Sequence, residues 1–127
     1  MRKILIIFLI CFMSLVWFAR FVSSGRFQTF LDNHPHPVWA VRAQYTMSMY
    51  HYMRSHYKEA VESDDRIIKI YPKSSFAEKA LLHKARSYLA LGNKKKAVEL
   101  YELFMKTYPD SEQFEYAEQK QKRLSSF

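Results

Sequence analysis

Apolar and polar residues segregate along this chain on two scales. From Ile4 to Ala19 the only polar side chain is Ser14, and Phe21 and Val22 continue the run beyond Arg20. Residues 4–22 predict one unbroken helix of roughly 28 Å, close to the ~30 Å of a hydrocarbon core. Further on, the apolar positions recur at helical spacing in shorter stretches. Trp39, Ala43, Met47 and Tyr50 predict one helix, and Tyr57, Ala60, Val61, Ile67 and Ile68 a second. Ala77, Leu81, Ala85 and Tyr88, flanked by Ala80 and Leu89, predict a third. Ala97, Tyr101, Phe104, Met105 and Tyr108 predict a fourth, and Phe114, Ala117 and Leu124 a last one within 111–124. The expected fold class is all-α.

Local signals punctuate these helices. Ser75-Phe-Ala-Glu78 reads as a capping box, in which a hydroxyl and a carboxylate satisfy the first amides. Gly92-Asn93 suits a left-handed stop, and Pro109 ends the helix before it. Lys120, Lys122 and Arg123 suit a helix C-terminus, where basic groups offset the exposed carbonyls.

The body of the chain repeats itself at a shift of 37 residues. Tyr71-Pro72 returns as Tyr108-Pro109, Ala60-Val61-Glu62 as Ala97-Val98-Glu99, and Lys69 as Lys106. Ala40, Ala43, Pro35 and Ser74 return as Ala77, Ala80, Pro72 and Ser111, and Trp39 is replaced by Phe76. Two units, about 35–71 and 72–108, are followed by the start of a third. Its polar final helix is what a stack of repeats needs to close its exposed end.

Leu81, Ala85, Tyr88, Ala97, Tyr101 and Pro109 resemble the helix–turn–helix spacing of the tetratricopeptide repeat. In the first unit Ser48, Ala60 and Pro72 fit, while His51 stands where Tyr88 does and Asp64 where Tyr101 does. The period of 37, with Tyr-Pro-Lys-Ser-Ser-Phe-Ala and Tyr-Pro-Asp-Ser between units, is similar to bacterial envelope-associated members. Those include outer-membrane assembly lipoproteins and the periplasmic protein that works with the Tol–Pal system. The resemblance covers about 35–124. It implies a helical-hairpin solenoid that binds a protein partner on the face made by the first helix of each unit. On that face it places Arg42, Tyr45, Met49, Tyr52, Lys79, Leu82, His83 and Arg86. Family members that capture a C-terminal carboxylate use a lysine and asparagines at matching positions, two of which are Tyr45 and Met49 here.

The N-terminal run admits two readings. Met1-Arg2-Lys3 precedes it as a basic flank, and Val22-Ser23-Ser24 before Gly25 would serve as a cleavage site for a removable signal. Alternatively the run is retained as a single-pass anchor, with Arg20 reaching the headgroups and Trp17, Phe18, Phe21 and Phe27 forming an interfacial belt. Cys11 lacks the preceding small residue that lipoprotein processing needs. The expected organisation is a signal-anchor or signal peptide at 1–24, a linker at 25–37 stiffened by Pro35 and Pro37, and a repeat domain at 38–127. A short basic N-terminal flank stays on the cytoplasmic side, which puts the repeat domain in the periplasm or an equivalent exterior; after cleavage it would be soluble there.

Composition narrows the chemistry. Two glycines cannot supply the turns of a barrel or a phosphate-cradling loop, and one cysteine excludes an internal disulfide. The net charge of +8 divides evenly: Arg2, Lys3, Arg20 and Arg26 contribute +4 with no acid before Asp32, leaving +4 for the rest. Half the basicity therefore flanks the apolar run, and no nucleic-acid module is present. Asp32, His34 and His36 alternate along a possible strand, but the flanking prolines account for that segment without a metal. His51 and His56, five apart, do not share a helix face. Asp64 interrupts an apolar stripe, so it lies at a wet edge or pairs with a base. The run Lys94-Lys95-Lys96 faces a turn and, with Lys120, Lys122 and Arg123, could meet anionic lipid. No nucleophile lies at a useful spacing from a base, so no catalytic, cofactor or metal site is expected. The functional expectation is a membrane-anchored, non-enzymatic adaptor or scaffold. Because two repeats are few for independent stability, a self-copy or a larger complex would complete it. The alternatives are a secreted soluble repeat protein and a basic protein that binds lipid or nucleic-acid surfaces.

Overall fold

A computed structural model describes residues 1–126, and every regular element among them is helical. The chain divides into two compact units, Met1–Pro35 and His36–Phe127.

The first unit holds α1 (Arg2–Ser23) and α2 (Arg26–Asn33). The apolar run forms α1, with a mean hydropathy of 2.5 over its most apolar window and none of that window buried. It is long and apolar enough to cross a membrane, and a signal sequence has the same character. Gly25, at φ +74°, turns the chain out of α1, a conformation that costs glycine little. Trp17 stacks on Phe21 at 5.6 Å, and Phe21 meets Phe27 edge-on at 6.0 Å. The segment 25–37, expected to be a linker, thus contains a helix. Phe27, Phe30 and Leu31 have helical spacing, and the prolines come only after it, leaving 34–37 as the non-helical stretch.

The second unit is a helical-hairpin solenoid: α3 (Trp39–Met53) with α4 (Tyr57–Ile70), α5 (Ser75–Ala90) with α6 (Lys94–Thr107), and α7 (Phe114–Ser125) as the closing helix. One core cluster unites α5, α6 and α7 through Leu81, Ala85, Ala97, Leu100, Tyr101, Phe104 and Ala117. A second joins the hairpins through Val41, Ile67, Ala77 and Ala80. Ala85 and Ala97 are both fully buried, as expected for small residues at a close helix crossing.

Both hairpin turns are built alike, 37 residues apart. In the second, Gly92 sits at φ +78°; its N–H donates to Leu89 O and that of Asn93 to Tyr88 O, each at 2.9 Å. This paired closure satisfies two orphan carbonyls of α5. In the first, Ser55 at φ +61° occupies the same position, with Ser55 N–H donating to Tyr52 O at 2.9 Å and His56 N–H to His51 O at 2.8 Å.

Two local expectations are corrected. The N-cap of α5 is Ser74, whose hydroxyl accepts from Phe76 N–H at 3.2 Å, while Glu78 accepts instead from the Ser111 hydroxyl. Starting one residue earlier moves Glu78 off the capping-box position and frees it to tie α5 to the turn before α7. In α3 the buried set is Ala40, Val41, Gln44, Met47, Ser48 and His51, whereas Trp39 is 42% exposed. The apolar residues of α3 lie almost all around its circumference, so their spacing could not select a face, and polar Gln44 and Ser48 turn inward.

Candidate binding face and a buried polar joint

The first helices of the units, α3 and α5, together with α7, form a face on which rings and cations alternate. Tyr45 packs against Phe76 at 5.4 Å between centroids, and Lys79 Nζ lies 5.3 Å over the Phe76 ring. Further along, Arg86 Cζ sits 5.2 Å over Tyr116, and Arg86 Nε–H donates to the Tyr116 hydroxyl at 3.2 Å. Lys120 Nζ approaches the same ring at 5.6 Å. Each cation is held by its ring and keeps an outward charge.

Of the expected face residues, Arg42, Met49, Lys79 and Arg86 are exposed, and Tyr45 and Tyr52 are half-buried. Tyr45 and Tyr52 pack on α5, reaching His83 at 6.1 and 5.0 Å between rings. Leu82 and His83 do not belong to the surface: they are 6% and 7% exposed. Helix α5 is central and touches neighbours on both sides, so less of its circumference faces outward than one apolar stripe suggests. Leu82 joins the α5–α6–α7 core, and His83 points into the joint between hairpins. Phe76, Tyr116 and Lys120 were missing from the expectation. Applying the 37-residue shift once more would have carried Lys79 onto Tyr116 and His83 onto Lys120.

Beneath this face lies a buried polar joint. Ser48 and Asp64 are completely buried. The Ser48 hydroxyl donates to Asp64 Oδ1 at 2.6 Å and lies 3.2 Å from Ala60 O. His83 Nδ1–H donates to Asp64 Oδ2 at 2.8 Å, and the same nitrogen is 3.0 Å from Ser48 Oγ. Three helices thus meet on one carboxylate. Burial raises the Asp64 pKa above its ordinary value, against the lowering effect of the His83 and Ser48 hydrogen bonds. Burial, with the Asp64 charge behind it, also pushes the Tyr45 hydroxyl up. Asp64 therefore pairs with a base, as one expectation had it, and does so in the interior and not at a wet edge.

Serine, histidine and aspartate in contact do not make a proton relay here. Ser48 and Asp64 both face Nδ1, whereas a relay needs them on opposite ring nitrogens, and Ser48 Oγ is closed to any substrate. The arrangement can fix the angle between hairpins, which is a structural task.

His34 and His36 are engaged locally. His34 Nδ1–H donates to Phe30 O at 2.9 Å, and His36 Nδ1 accepts from Val38 N–H at 3.2 Å. Among the described residues no group of three or more potential ligands is placed to hold a metal. His51 and His56 rings lie 6.3 Å apart, closer than their spacing suggested, because the turn at Ser55 folds His56 back. Burial lowers the His51 pKa, and its Nδ1 has no hydrogen-bond partner among the described residues.

A search of curated proteins gave no match. Residues 79–111, spanning most of α5, all of α6 and the turn to Ser111, match the family model described as Tetratricopeptide repeat.

Proposed function

We propose that this chain is a non-enzymatic, membrane-anchored adaptor that holds a partner protein on the α3–α5–α7 face of its repeat domain. The observation that carries the reading is the row of ring-supported cations, Lys79 on Phe76 and Arg86 with Lys120 on Tyr116, beside exposed Arg42 and Met49. Such a surface suits a partner with apolar anchors and acidic flanks. Tetratricopeptide repeats typically bind proteins, and a match over 79–111 supports that class of task. Helix α1 supplies the anchor, and its short basic flank favours a repeat domain outside the cytoplasm, in line with the resemblance to envelope-associated proteins. The partner, or a second copy, would complete a solenoid of only two hairpins.

Site-specific photo-crosslinking in native membranes tests this. A crosslinker replacing Lys79 or Arg86 is expected to give a discrete adduct, while one at Glu62 or Glu99, on the second helices, gives none. Equal labelling from both positions would overturn the reading. The intact mass of the chain recovered from membranes checks the anchor: loss of residues 1–24 would make the protein a secreted repeat protein instead.

A further inference from the structure

The hairpins run antiparallel, so the chain's basic residues are sorted by the end of the helix on which they fall. One edge of the repeat domain collects the α3–α4 turn, the α5–α6 turn and the end of α7. Across residues 53–59, 90–97 and 120–126 it holds eight Lys or Arg and one acid, Glu59. The opposite edge, across 36–39, 69–78 and 106–115, holds three bases and four acids. The repeat domain's charge of +5 is thus the sum of an edge of +7 and a slightly acidic remainder of −2.

The positive edge is available. Arg54, Lys58, Lys95 and Arg123 are exposed and have no ion pair among the described residues. The side chains of Lys96 and Lys122 pair with Glu99 and Glu118, at 3.3 and 2.9 Å, in exposed pairs that water screens. Apolar side chains stand among these charges at the tips of both turns: Met53 is 80% exposed and Leu91 39%. Each tip therefore offers a hydrocarbon wedge ringed by cations.

We infer that this turn edge binds an anionic phospholipid surface, with Arg54, Lys58, Lys95 and Arg123 at the headgroup phosphates and Met53 and Leu91 dipping below them. Basic residues alone would serve a nucleic acid equally well. The wedges favour lipid, because a phosphate backbone offers no apolar layer to receive them, whereas the headgroup boundary does. Distance does not forbid it. Residues 24–38, with eight of them helical, can span about 35 Å, more than the roughly 22 Å length of α3. Lying edge-on, the domain would keep the α3–α5–α7 face open sideways to a partner, so lipid and protein would occupy different surfaces. Each basic side chain near an anionic leaflet adds about a fivefold gain in surface affinity at low salt.

The test uses the full chain, with Cys11→Ser and one spin label placed through Met53→Cys, Leu91→Cys or, as a control on the opposite edge, Glu112→Cys. Each protein is reconstituted in nanodiscs of phosphatidylcholine alone or with one-third phosphatidylglycerol. An apolar helix inserts into both, so a dependence on composition reports the edge and not α1. Accessibility to an aqueous paramagnetic relaxant is expected to fall at least about fivefold at 53 and 91 in the anionic discs, stay constant at 112, and recover in 1 M salt. Lys94→Glu, Lys95→Glu and Lys96→Glu together should abolish the change while circular dichroism keeps its helical signal. Equal accessibility in the two lipids, or an equal fall at 112, overturns the inference. So does a fall that added poly(U) RNA causes in phosphatidylcholine discs and phosphatidylglycerol does not.

Discussion

The two hairpins share a backbone plan but are locked by different chemistry. In α5–α6 the crossing is dry: Ala85 faces Ala97, and Tyr101 and Phe104 fill the space beneath, all fully buried. In α3–α4 the residues 37 positions earlier are Ser48, Ala60, Asp64 and Ile67, and the crossing closes on a hydrogen-bonded carboxylate. The dry joint gains from burying apolar area and tolerates imperfect geometry. The polar joint gains little net energy, because desolvating Asp64 offsets its hydrogen bonds, but it accepts only one arrangement of three helices. The contrast teaches that a repeat can hold its geometry while giving up its packing signature, and the family match covers the dry hairpin alone.

Breaking the polar joint should have the largest effect. Asp64→Ala leaves Ser48 and the buried His83 without their acceptor and opens a cavity, at a cost of about 3–5 kcal/mol in urea unfolding of the full chain. Asp64→Asn keeps an acceptor and a donor in place, and should cost less than about 1 kcal/mol at pH 7. A smaller loss for Asp64→Ala than for Asp64→Asn would show that the joint is not the lock described.

The same joint fixes a pH dependence. A carboxyl whose pKa is higher in the folded than in the unfolded state binds protons on folding, so its contribution to stability falls as pH rises. The window opens at the ordinary Asp value of 3.8 and closes at the raised folded value. Wild type measured against Asp64→Asn should therefore lose ground steadily as pH climbs through that window. A gain over the same range would reverse the sign of the burial effect.

Exchanging the turn residues sharpens the comparison at the next level down. Ser55→Gly relieves a left-handed serine and should stabilise by about 0.5–1 kcal/mol, while Gly92→Ser should destabilise by about 1 kcal/mol. A Cβ on Gly92 would meet nothing within 4 Å, so the cost is conformational and not steric crowding by neighbours. Thermal melts of the two variants should shift in opposite directions.

The smallest effect belongs to the dry joint. The Tyr101 hydroxyl is buried with no hydrogen-bond partner among the described residues, and burial drives its pKa well above 10. Tyr101→Phe should leave stability unchanged or raise it by up to about 1 kcal/mol. A clear loss would mean that the hydroxyl is satisfied by water or a neighbour.

How much could be read beforehand follows the same division. The second hairpin was legible down to its stop at Gly92, since its core positions are apolar and its faces polar. The first was legible as two helices, but its facing was not: α3 carries apolar groups on nearly every side, and its interior positions include Gln44, Ser48 and His51. The candidate face was half legible. Arg42, Met49, Lys79 and Arg86 are exposed on the face the resemblance implied, but Leu82 and His83 turned inward because α5 is flanked on both sides.

By itself, the sequence determined the apolar N-terminal helix, the 37-residue repeat, the helix-and-turn order and the polar closing helix. Each of these depends on spacing along the chain, and hydrophobic burial acts on spacing directly. Only the tertiary structure decided that Asp64, Ser48 and His83 meet, that Arg86 and Lys120 share the ring of Tyr116, and that eight bases gather on one edge. Those outcomes depend on which helix ends and faces become neighbours, and packing fixes that between residues far apart in the chain.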